Sequence, residues 1–441
     1  MQFYSLTFLY FFLPGALLAY NLTPKAYKSW TLMAVSVLFF ALAQPEHFLL
    51  FAASVAAQFV FSEAMRKSEE KTKTKKAIFT VAVAVNAAVM IAFSVRNQLT
   101  GAEIPLGTMV VAFTAIGYFV DVYKGETEYI RSFADFSVFL GFFGKLYRGP
   151  LVRAGRVKES PNRNGFSLET TGEGIYLFVR GLAKLVLLAQ PLEKMYEDLC
   201  DANLDRISVV GAWLSVITLG MMIFHDLSGF CDMARGLGLC FGMDLPKNFY
   251  FPFQSPSVTD FLDRFNMTVT AFFRHYVYDN LRTDEKSKLQ LVVDTLLICM
   301  LCGVWFGIRM NYVLWGLYIA AFIIIEKLFL NKLLDRIPRF FTRIYTFCVT
   351  MFSMTIFSIY ADIGIIRTFK AMFGMGAEGI TDRVSYIVSE NMLVLAVSAF
   401  FLTSVFSMLV GFINKKSKPA YSAFAVLETA LLLVLITGEL L

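Results

Sequence analysis

The sequence predicts an all-α polytopic membrane protein with about ten to twelve transmembrane or re-entrant helices around a central funnel. The first observation is composition: the 441 residues are 57% hydrophobic and 17% charged, whereas a soluble domain carries about 25% charged residues. The second is that the apolar residues form long unbroken runs instead of the periodic pattern of soluble helices and strands. The third is an irregular, polar stretch at residues 226–256 among these runs, which membrane depth tolerates only where it lines a cavity.

The apolar runs define the candidate spans, because a helix needs about 20 mostly apolar residues to cross the hydrocarbon core. The strongest runs are residues 3–18, 77–93, 209–224, 289–306, 313–325, 344–359, 392–410 and 424–436. Weaker candidates are residues 31–43, 47–61, 105–120 and 175–192. The first run lacks a basic segment before it and a small-residue cleavage site after it, so we interpret it as a retained span.

Basic residues predict the orientation of the chain in the plasma membrane. Lys25 and Lys28 follow the first run, and the loop after the third run carries Arg66, Lys67, Lys71, Lys73, Lys75 and Lys76. The positive-inside rule places this loop in the cytoplasm, together with Lys415, Lys416 and Lys418, and places both termini outside the cytoplasm. The net charge of +6 largely reflects this topology. Since no basic cluster sits on a soluble domain, we expect no nucleic-acid partner.

The chain shows no linker, repeat or soluble domain, so residues 1–441 are predicted to form a single membrane domain. Cys299 and Cys302 are spaced as a CxxC pair, but they lie in an apolar run without a histidine nearby. We interpret them as small core residues rather than as metal or redox ligands. We therefore predict no metal and no bound cofactor.

Polar residues concentrate between positions 223 and 282, and burying polar groups at membrane depth usually serves a function. His225, Asp226 and Asp232 directly follow an apolar run, and Gly229 would let the helix end or break there. The alternative interpretation is that Asp226 and Asp232 cap helices at the membrane interface. Residues 245–253 are too rich in proline and aromatic residues to form a span, and residues 260–278 are predicted to form one helix.

Several motifs in this region resemble those of the membrane-bound O-acyltransferase family. Residues 226–234 resemble its Asp-Phe-Ser-Gly-Tyr-Ser-Asp-Met-Ala signature, and residues 245–253 its Leu-Pro-x-Asn-Phe-x-x-Pro-Tyr segment. Residues 261–278 resemble its Phe-x-x-Arg-Trp-His helix, which ends in Arg-Asp-Tyr-x-Tyr. Further blocks lie in order at residues 8–14, 119–126, 149–153, 303–307 and 314–317. The resemblance is closest to the bacterial branch that O-acetylates exported polysaccharides such as alginate, followed by proteins of teichoic-acid D-alanylation.

The resemblance implies transfer of an acyl group from a cytosolic thioester donor, acyl-CoA or an acyl carrier, to a hydroxyl of an exported polysaccharide or teichoic-acid-like acceptor. Membrane lipid and an extracytoplasmic SGNH-type hydrolase are the implied partners. In the family, the histidine of a Gly-x-Trp-His-Gly motif acts as general base, since neutral imidazole can take the hydroxyl proton. A second polar residue orients the acceptor or stabilises the oxyanion.

This sequence departs from the family at the positions that carry the chemistry. Phe306 stands where the base is expected, and a phenylalanine cannot accept a proton. Asn266 replaces the histidine of Arg-Trp-His, and His275 replaces the aspartate of Arg-Asp-Tyr. The chain has three histidines, at positions 47, 225 and 275. On one continuous helix Asn266 and His275 would be about 900° apart, on opposite faces.

Two function classes therefore stay open. In the first, the chain is an acyltransferase with a relocated base, for which the candidates are His225 beside Asp226, and His275. In the second, it is a catalytically silent member that serves as a conduit or partner-docking subunit. The apolar runs alone would also fit a transporter, but the ordered motifs argue against one. We predict that Asn266 and Phe306, separated by a loop at residues 283–288 and one apolar helix, line a common cavity with Asp232, Arg264, Thr270 and Trp305.

The predicted topology can be tested with single cysteines introduced at Thr72 and Ser417. A membrane-impermeant maleimide should leave both unlabelled in intact cells and label them after permeabilisation, because the Lys/Arg-rich loops face the cytoplasm. A cysteine at Leu441 serves as the control and should be labelled from outside. Strong labelling of Thr72→Cys or Ser417→Cys in intact cells would contradict the orientation.

Overall fold

A computed structural model describes residues 1–69, 72–155, 158–159, 163, 165–278, 287–357, 365–377, 379 and 381–441. Lys71, one of the basic residues used to predict topology, lies outside these ranges. Within them the all-helical prediction is confirmed, and the strands described are the short antiparallel pair β1 (Lys158–Glu159) and β2 (Met243–Asp244). The helices are α1 (Leu13–Leu22), α2 (Lys28–Ala43), α3 (Phe48–Lys67), α4 (Lys73–Thr100), α5 (Thr108–Lys124), α6 (Phe133–Gly141), α7 (Leu168–Ala183), α8 (Gln190–Asp205), α9 (Val209–Cys240), α10 (Val258–Arg264), α11 (Met267–Phe273), α12 (Lys288–Val304), α13 (Met310–Ile325), α14 (Asn331–Leu334), α15 (Arg339–Phe357), α16 (Ile365–Met372), α17 (Asp382–Phe401), α18 (Val405–Lys416) and α19 (Lys418–Leu440).

Nine helical segments in the described part of the chain are long and apolar enough to cross a membrane. They are Lys25–Ala43, Pro45–Lys67, Lys73–Thr100, Leu168–Leu204, Val209–Cys240, Met310–Leu334, Arg339–Phe357, Asp382–Phe401 and Lys418–Leu440, with Phe8–Leu22 as a shorter apolar helix. The last of the nine buries Ile436 and exposes Val426, Leu427 and Val434. Such a face suits acyl chains rather than water, so the chain is a multi-pass membrane protein.

Two predictions about helix ends were wrong. The apolar run at residues 392–410 forms two helices, α17 and α18, and the hydroxyl of Thr403 donates to the Phe400 carbonyl at 2.7 Å between them. Helix α9 continues from Val209 to Cys240, so Gly229 does not break it, and Asp226 and Asp232 lie inside it rather than capping helix ends. Neither the division of the 392–410 run nor the continuity of α9 follows from the apolar pattern.

The structure divides into two compact units, the first formed by Met1–Leu182, Phe230–Lys247 and Leu440–Leu441. Its core is aromatic: Phe3, Phe39 and Phe143 are buried, with ring centroids 5.3 and 5.4 Å apart along the series. An ion pair joins the sequence blocks at residues 119–126 and 149–153, since the Arg153 guanidinium donates to both oxygens of the fully buried Asp121 at 3.1 and 3.0 Å. These two blocks therefore contribute to the fold through a bidentate pair.

The second unit, Ala183–Gly229 and Asn248–Glu439, contains a tight hairpin of α12 and α13. A Cβ atom added to Gly303 would lie 2.2 Å from the Tyr312 carbonyl oxygen, and one added to Gly316 would lie 2.4 Å from that of Cys299. The two backbones thus touch at positions where only glycine fits. On the other side of α13, Trp315 donates its indole N–H to Ser353 Oγ of α15 at 3.2 Å.

A buried carboxylate fixes the start of α10 to the end of α13. Glu326 is fully buried, and its two oxygens accept the backbone N–H groups of Val258 and Thr259 at 2.7 and 2.9 Å and the Thr259 hydroxyl at 2.7 Å. Ser257 accepts the N–H of Asp260. Three amides at the start of α10, which have no partner inside the helix, are satisfied in this way.

We expect Glu326→Ala to lower the free energy of unfolding by about 1–3 kcal/mol, because it leaves buried amides without an acceptor. Glu326→Gln, which keeps one acceptor oxygen, should lose less. Thermal unfolding in detergent followed with a thiol-reactive dye suits this chain, since five of its six free cysteines are buried. The exposed Glu193 provides the control, and an equal loss in Glu193→Ala would contradict the assignment.

Candidate functional site

The helix predicted over residues 260–278 is broken at Asn266. Asn266 has φ 54° and ψ 51°, the left-handed conformation, and separates α10 from α11. Asn266 and Phe251 are the two residues other than glycine with positive φ in the described part of the chain. This conformation costs an L-residue roughly 1–2 kcal/mol, and such strain gathers at functional sites.

Hydrogen bonds from residues 248–250 hold the break in place. Asn248 Nδ2 donates to Asn266 Oδ1 at 2.7 Å, while Asn248 Oδ1 accepts from both the N–H and the hydroxyl of Thr268 at 2.8 Å. On the backbone, Met267 N–H donates to the Asn248 carbonyl and Tyr250 N–H to the Arg264 carbonyl. All three polar side chains are buried. The irregular stretch predicted at residues 245–253 therefore provides hydrogen-bond partners for the start of α11.

The prediction of one helix over residues 260–278 was wrong, so the argument that set Asn266 opposite His275, which assumed one continuous helix, no longer applies. Asp263 and Arg274 form an ion pair at 2.6 Å although they are eleven positions apart. On a straight helix that separation is about 16 Å along the axis. The chain turns back at Asn266 because its left-handed backbone cannot continue a right-handed helix.

Helix α11 lies against α12 one turn beyond the break. The hydroxyl of Thr270 donates to the Leu262 carbonyl of α10 at 3.3 Å and lies 4.0 Å from the Cys302 sulfur. Thr270 is one turn after Asn266, and Cys302 is one turn before Phe306. The elements that carry the two key positions are thus neighbours, while direct contact of Asn266 with Phe306 stays a prediction. The connecting loop at residues 283–288 lies largely outside the described residues.

A cavity of about 370 Å³, here called the α12 cavity, opens between α10, α12, α13 and the π-helical turn Arg274–Tyr278. Apolar side chains of Leu262, Ile298 and Ile323 form part of its wall. Charged side chains form another part: Asp263, Arg274, Asp294 and Lys327. Arg274 and Lys327 each sit on a π-helical turn, a feature frequent at functional sites.

The charged lining of the α12 cavity was missed by sequence reasoning, although a signal was present. Asp294 interrupts the apolar run at residues 289–306 and is 4% exposed in the structure. An ionisable residue inside a transmembrane segment is by default a functional candidate. Lys327 follows the run at residues 313–325, at a position where a basic residue commonly marks the end of a transmembrane span. Of the CxxC pair, Cys299 lines the cavity.

Phe306 lies in an aromatic cluster. Its ring centroid is 5.0 Å from that of Phe357, 6.0 Å from Trp315 and 6.2 Å from Tyr312. The neighbouring Trp305 is 8% exposed. A ring packed against three other rings contributes dispersion and edge-to-face contacts, so Phe306 fits its surroundings as an apolar residue.

The two candidate histidines occupy different environments. His225 is fully buried in α9, and neither ring nitrogen has a hydrogen-bond partner within the described residues. Its neighbour Phe224 packs on Phe249 and Phe253 at 5.8 and 5.7 Å, next to Asn248. His275 is half-buried on the π-helical turn and follows the cavity residue Arg274 in sequence, but it does not itself line the α12 cavity.

The remaining predicted site residues are dispersed. Asp226 is half-buried in α9, and Asp232 belongs to the first unit, where Arg235 lies 3.9 Å away. Arg264 binds Asp260 at 2.7 Å and lines a separate cavity of about 360 Å³. Asp232 and Arg264 thus each lie next to an oppositely charged side chain.

The left-handed backbone at Asn266 predicts an order of stability among variants at this position. Asn266→Gly keeps the left-handed backbone and loses the bond to Asn248, whereas Asn266→Ala loses both. We expect Asn266→Ala to be less stable than Asn266→Gly by about 1 kcal/mol, because Cβ disfavours positive φ. Thermal unfolding would measure the order. Equal stability of the two variants would contradict a strained Asn266, and Asn248→Ala, which removes only the side-chain bonds, is the matched control.

The chain is similar to bacterial enzymes that modify glycans. It is 28% identical over 429 residues to the protein named "Probable alginate O-acetylase AlgI" of Pseudomonas fluorescens, covering 95% of this chain and 86% of that protein. It is 23% identical over 309 residues to a peptidoglycan O-acetyltransferase of Helicobacter pylori, covering 67% of this chain and 58% of that one. A teichoic acid D-alanyltransferase of Bacillus subtilis is 33% identical over 129 residues, 27% of this chain and 33% of that protein. The model of the membrane-bound O-acyltransferase family matches residues 125–366. Because this match spans more than half of the chain, the protein belongs to the membrane-bound O-acyltransferase family.

Proposed function

We propose that this protein transfers an acyl group from a cytosolic thioester donor to a hydroxyl of an exported glycan, with the reaction taking place near Asn266. The relatives named above act on alginate, peptidoglycan and teichoic acid, which supports a glycan acceptor. The observation that carries the proposal is the α12 cavity beside the strained break at Asn266.

The lining of the α12 cavity suits a thioester donor. An acyl chain needs an apolar wall, which Leu262, Ile298 and Ile323 provide, and the polar part of a donor needs charged or hydrogen-bonding groups. Lys327, and Arg274 paired with Asp263, offer N–H donors to the polar part of the donor, and Asp294 adds a carboxylate. Cys299 of α12 lies on the cavity wall, and Cys302, one turn further along α12, contacts Thr270 of α11. Beyond this contact, α12 ends before Phe306, and α11 begins directly after Asn266.

The reaction needs a proton acceptor. The hydroxyl oxygen attacks the thioester carbonyl carbon, the new C–O bond forms, the C–S bond breaks, and the hydroxyl proton passes to a base while the thiolate leaves. Phe306 cannot be that base. In an active protein the proton goes to His275, which follows the cavity residue Arg274 in sequence, or to the buried His225.

A second candidate function is favoured by the aromatic cluster around Phe306. Three aromatic rings have centroids 5.0 to 6.2 Å from that of Phe306. The position where the family has its base is therefore apolar here. In this alternative the chain is catalytically silent and serves as a conduit or as a docking subunit for a partner such as an SGNH-type hydrolase.

The variant Phe306→His discriminates between the two functions. The protein would be reconstituted in nanodiscs with acetyl-CoA labelled in the acetyl group and with soluble alginate oligosaccharides, and both thiol release and acetylated product would be measured. A silent protein should gain transfer by about 10²–10⁴-fold, the usual contribution of a general base. An active one should change by less than about tenfold in Phe306→His and lose transfer in His275→Gln or His225→Gln.

Phe357→His is the matched control, because it places an imidazole in the same aromatic cluster at a position the family does not use for catalysis. An equal gain of transfer in Phe357→His and Phe306→His would show that the effect does not depend on a base at position 306. Absence of transfer by the native protein, by Phe306→His and with acyl-carrier donors alike would contradict the proposed acyl transfer.

A further inference from the structure

We propose that a second cavity in the Ala183–Gly229 and Asn248–Glu439 unit binds a phosphate group. This cavity, here called the arginine cavity, has a volume of about 360 Å³ and lies between the end of α10 and the start of α15. Arg264, Arg339 and Arg343 line it, together with the polar side chains of Gln254, Asp335 and Thr342. The proposal does not depend on acyl transfer.

The balance of charge in the arginine cavity calls for an anion. Three guanidinium groups and one carboxylate, Asp335, line the cavity, and Asp260 pairs with Arg264, so positive charge remains in excess. Neither Arg339 nor Arg343 makes an ion pair within the part of the chain that the structure describes, and both are exposed. Guanidinium groups remain charged at every physiological pH, so this excess of positive charge is permanent.

The position of these arginines on α15 is unfavourable unless an anion is present. Arg339 and Arg343 are four positions apart on one helix face, where like charges repel. They also lie in the first turns of a 19-residue helix whose first turn has no acidic residue. The N-terminus of a helix already carries partial positive charge. A bound phosphate would relieve both repulsions at once.

Arg264, on the α10 side of the arginine cavity, is ordered by contacts with neighbouring side chains. Its Nε donates to Asp260 Oδ2 at 2.7 Å, and the guanidinium lies 5.5 Å from the centroid of the Tyr250 ring. Asp260 occupies one edge of the guanidinium fork, which leaves further N–H donors for a ligand. Since Arg264 is already ordered by these contacts, binding an anion would lose little side-chain entropy.

The chemistry identifies a phosphate ester rather than a carboxylate. Planar guanidinium groups match phosphate geometry, and a phosphate monoester offers more oxygens than a carboxylate to a wall that carries several arginines. A cavity of about 360 Å³ is also large enough for a phosphate with part of its ester. The phosphate could belong to a soluble phosphomonoester or to the headgroup of an anionic lipid, and the two sources can be separated by experiment.

The test uses the full-length protein in phosphatidylcholine nanodiscs. Calorimetric titration with adenosine 3′,5′-bisphosphate and with inorganic phosphate probes the soluble source. Native mass spectrometry of protein from nanodiscs containing phosphatidylglycerol probes the lipid source. The double variant Arg339→Gln/Arg343→Gln should weaken binding of the preferred probe at least tenfold, and higher salt should weaken binding by the native protein.

Arg336→Gln is the matched control, because Arg336 is exposed in the same connection but does not line the cavity. Binding of a soluble probe that is lost in the double variant and kept in Arg336→Gln assigns a soluble phosphate ester. Retention of phosphatidylglycerol with the same pattern assigns a lipid headgroup. No binding of any probe, or an equal loss in Arg336→Gln, would overturn the proposal.

Discussion

The break in the chain at Asn266 leaves backbone amides and carbonyls without helical partners, and it lies at a buried position where they need partners from the protein. Glu326 accepts the first amides of α10, and the Leu262 carbonyl near its end accepts the hydroxyl of Thr270. Asn248 accepts the N–H groups of Met267 and Thr268 at the start of α11. An unpaired buried group costs about 1–3 kcal/mol, so these contacts determine where α10 and α11 can lie. The α12 cavity borders α10 and the π-helical turn that follows α11, so it depends on that arrangement.

The close packing of α12 against α13 has a different consequence. Because Gly303 and Gly316 bring the two backbones into contact, the turn between the helices is short and its side chains are forced against α15. Phe306 therefore meets Phe357 and Trp315. A histidine there would need a hydrogen-bond partner, whereas a phenylalanine gains stability from ring contacts alone. The substitution is thus compatible with the fold, and it bears on chemistry rather than on folding.

Charge is distributed according to burial in this protein. Asp121 and Arg153 neutralise each other inside the first unit through two hydrogen bonds, which explains two of the sequence blocks as parts of the fold. In the second unit, Asp263 and Arg274 pair at the edge of the α12 cavity, but Arg339 and Arg343 are exposed with no acid in the first turn of their helix. Each of these ion pairs lies within one unit, and the excess of positive charge is found at the arginine cavity.

The sequence by itself determined the helical membrane fold, the approximate spans, the family and the replacement of the expected base by Phe306. These features are local, since a run of apolar residues or a motif is complete within a few turns. Only the tertiary structure decided the break at Asn266, the continuity of α9 through Gly229 and the charged lining of the α12 cavity. The left-handed conformation of Asn266 is unfavourable locally and is stabilised by Asn248, while Glu326, 68 positions from Val258, fixes the helix before it. A pattern read along the chain shows the local cost of such a turn but not the distant contacts that make it stable.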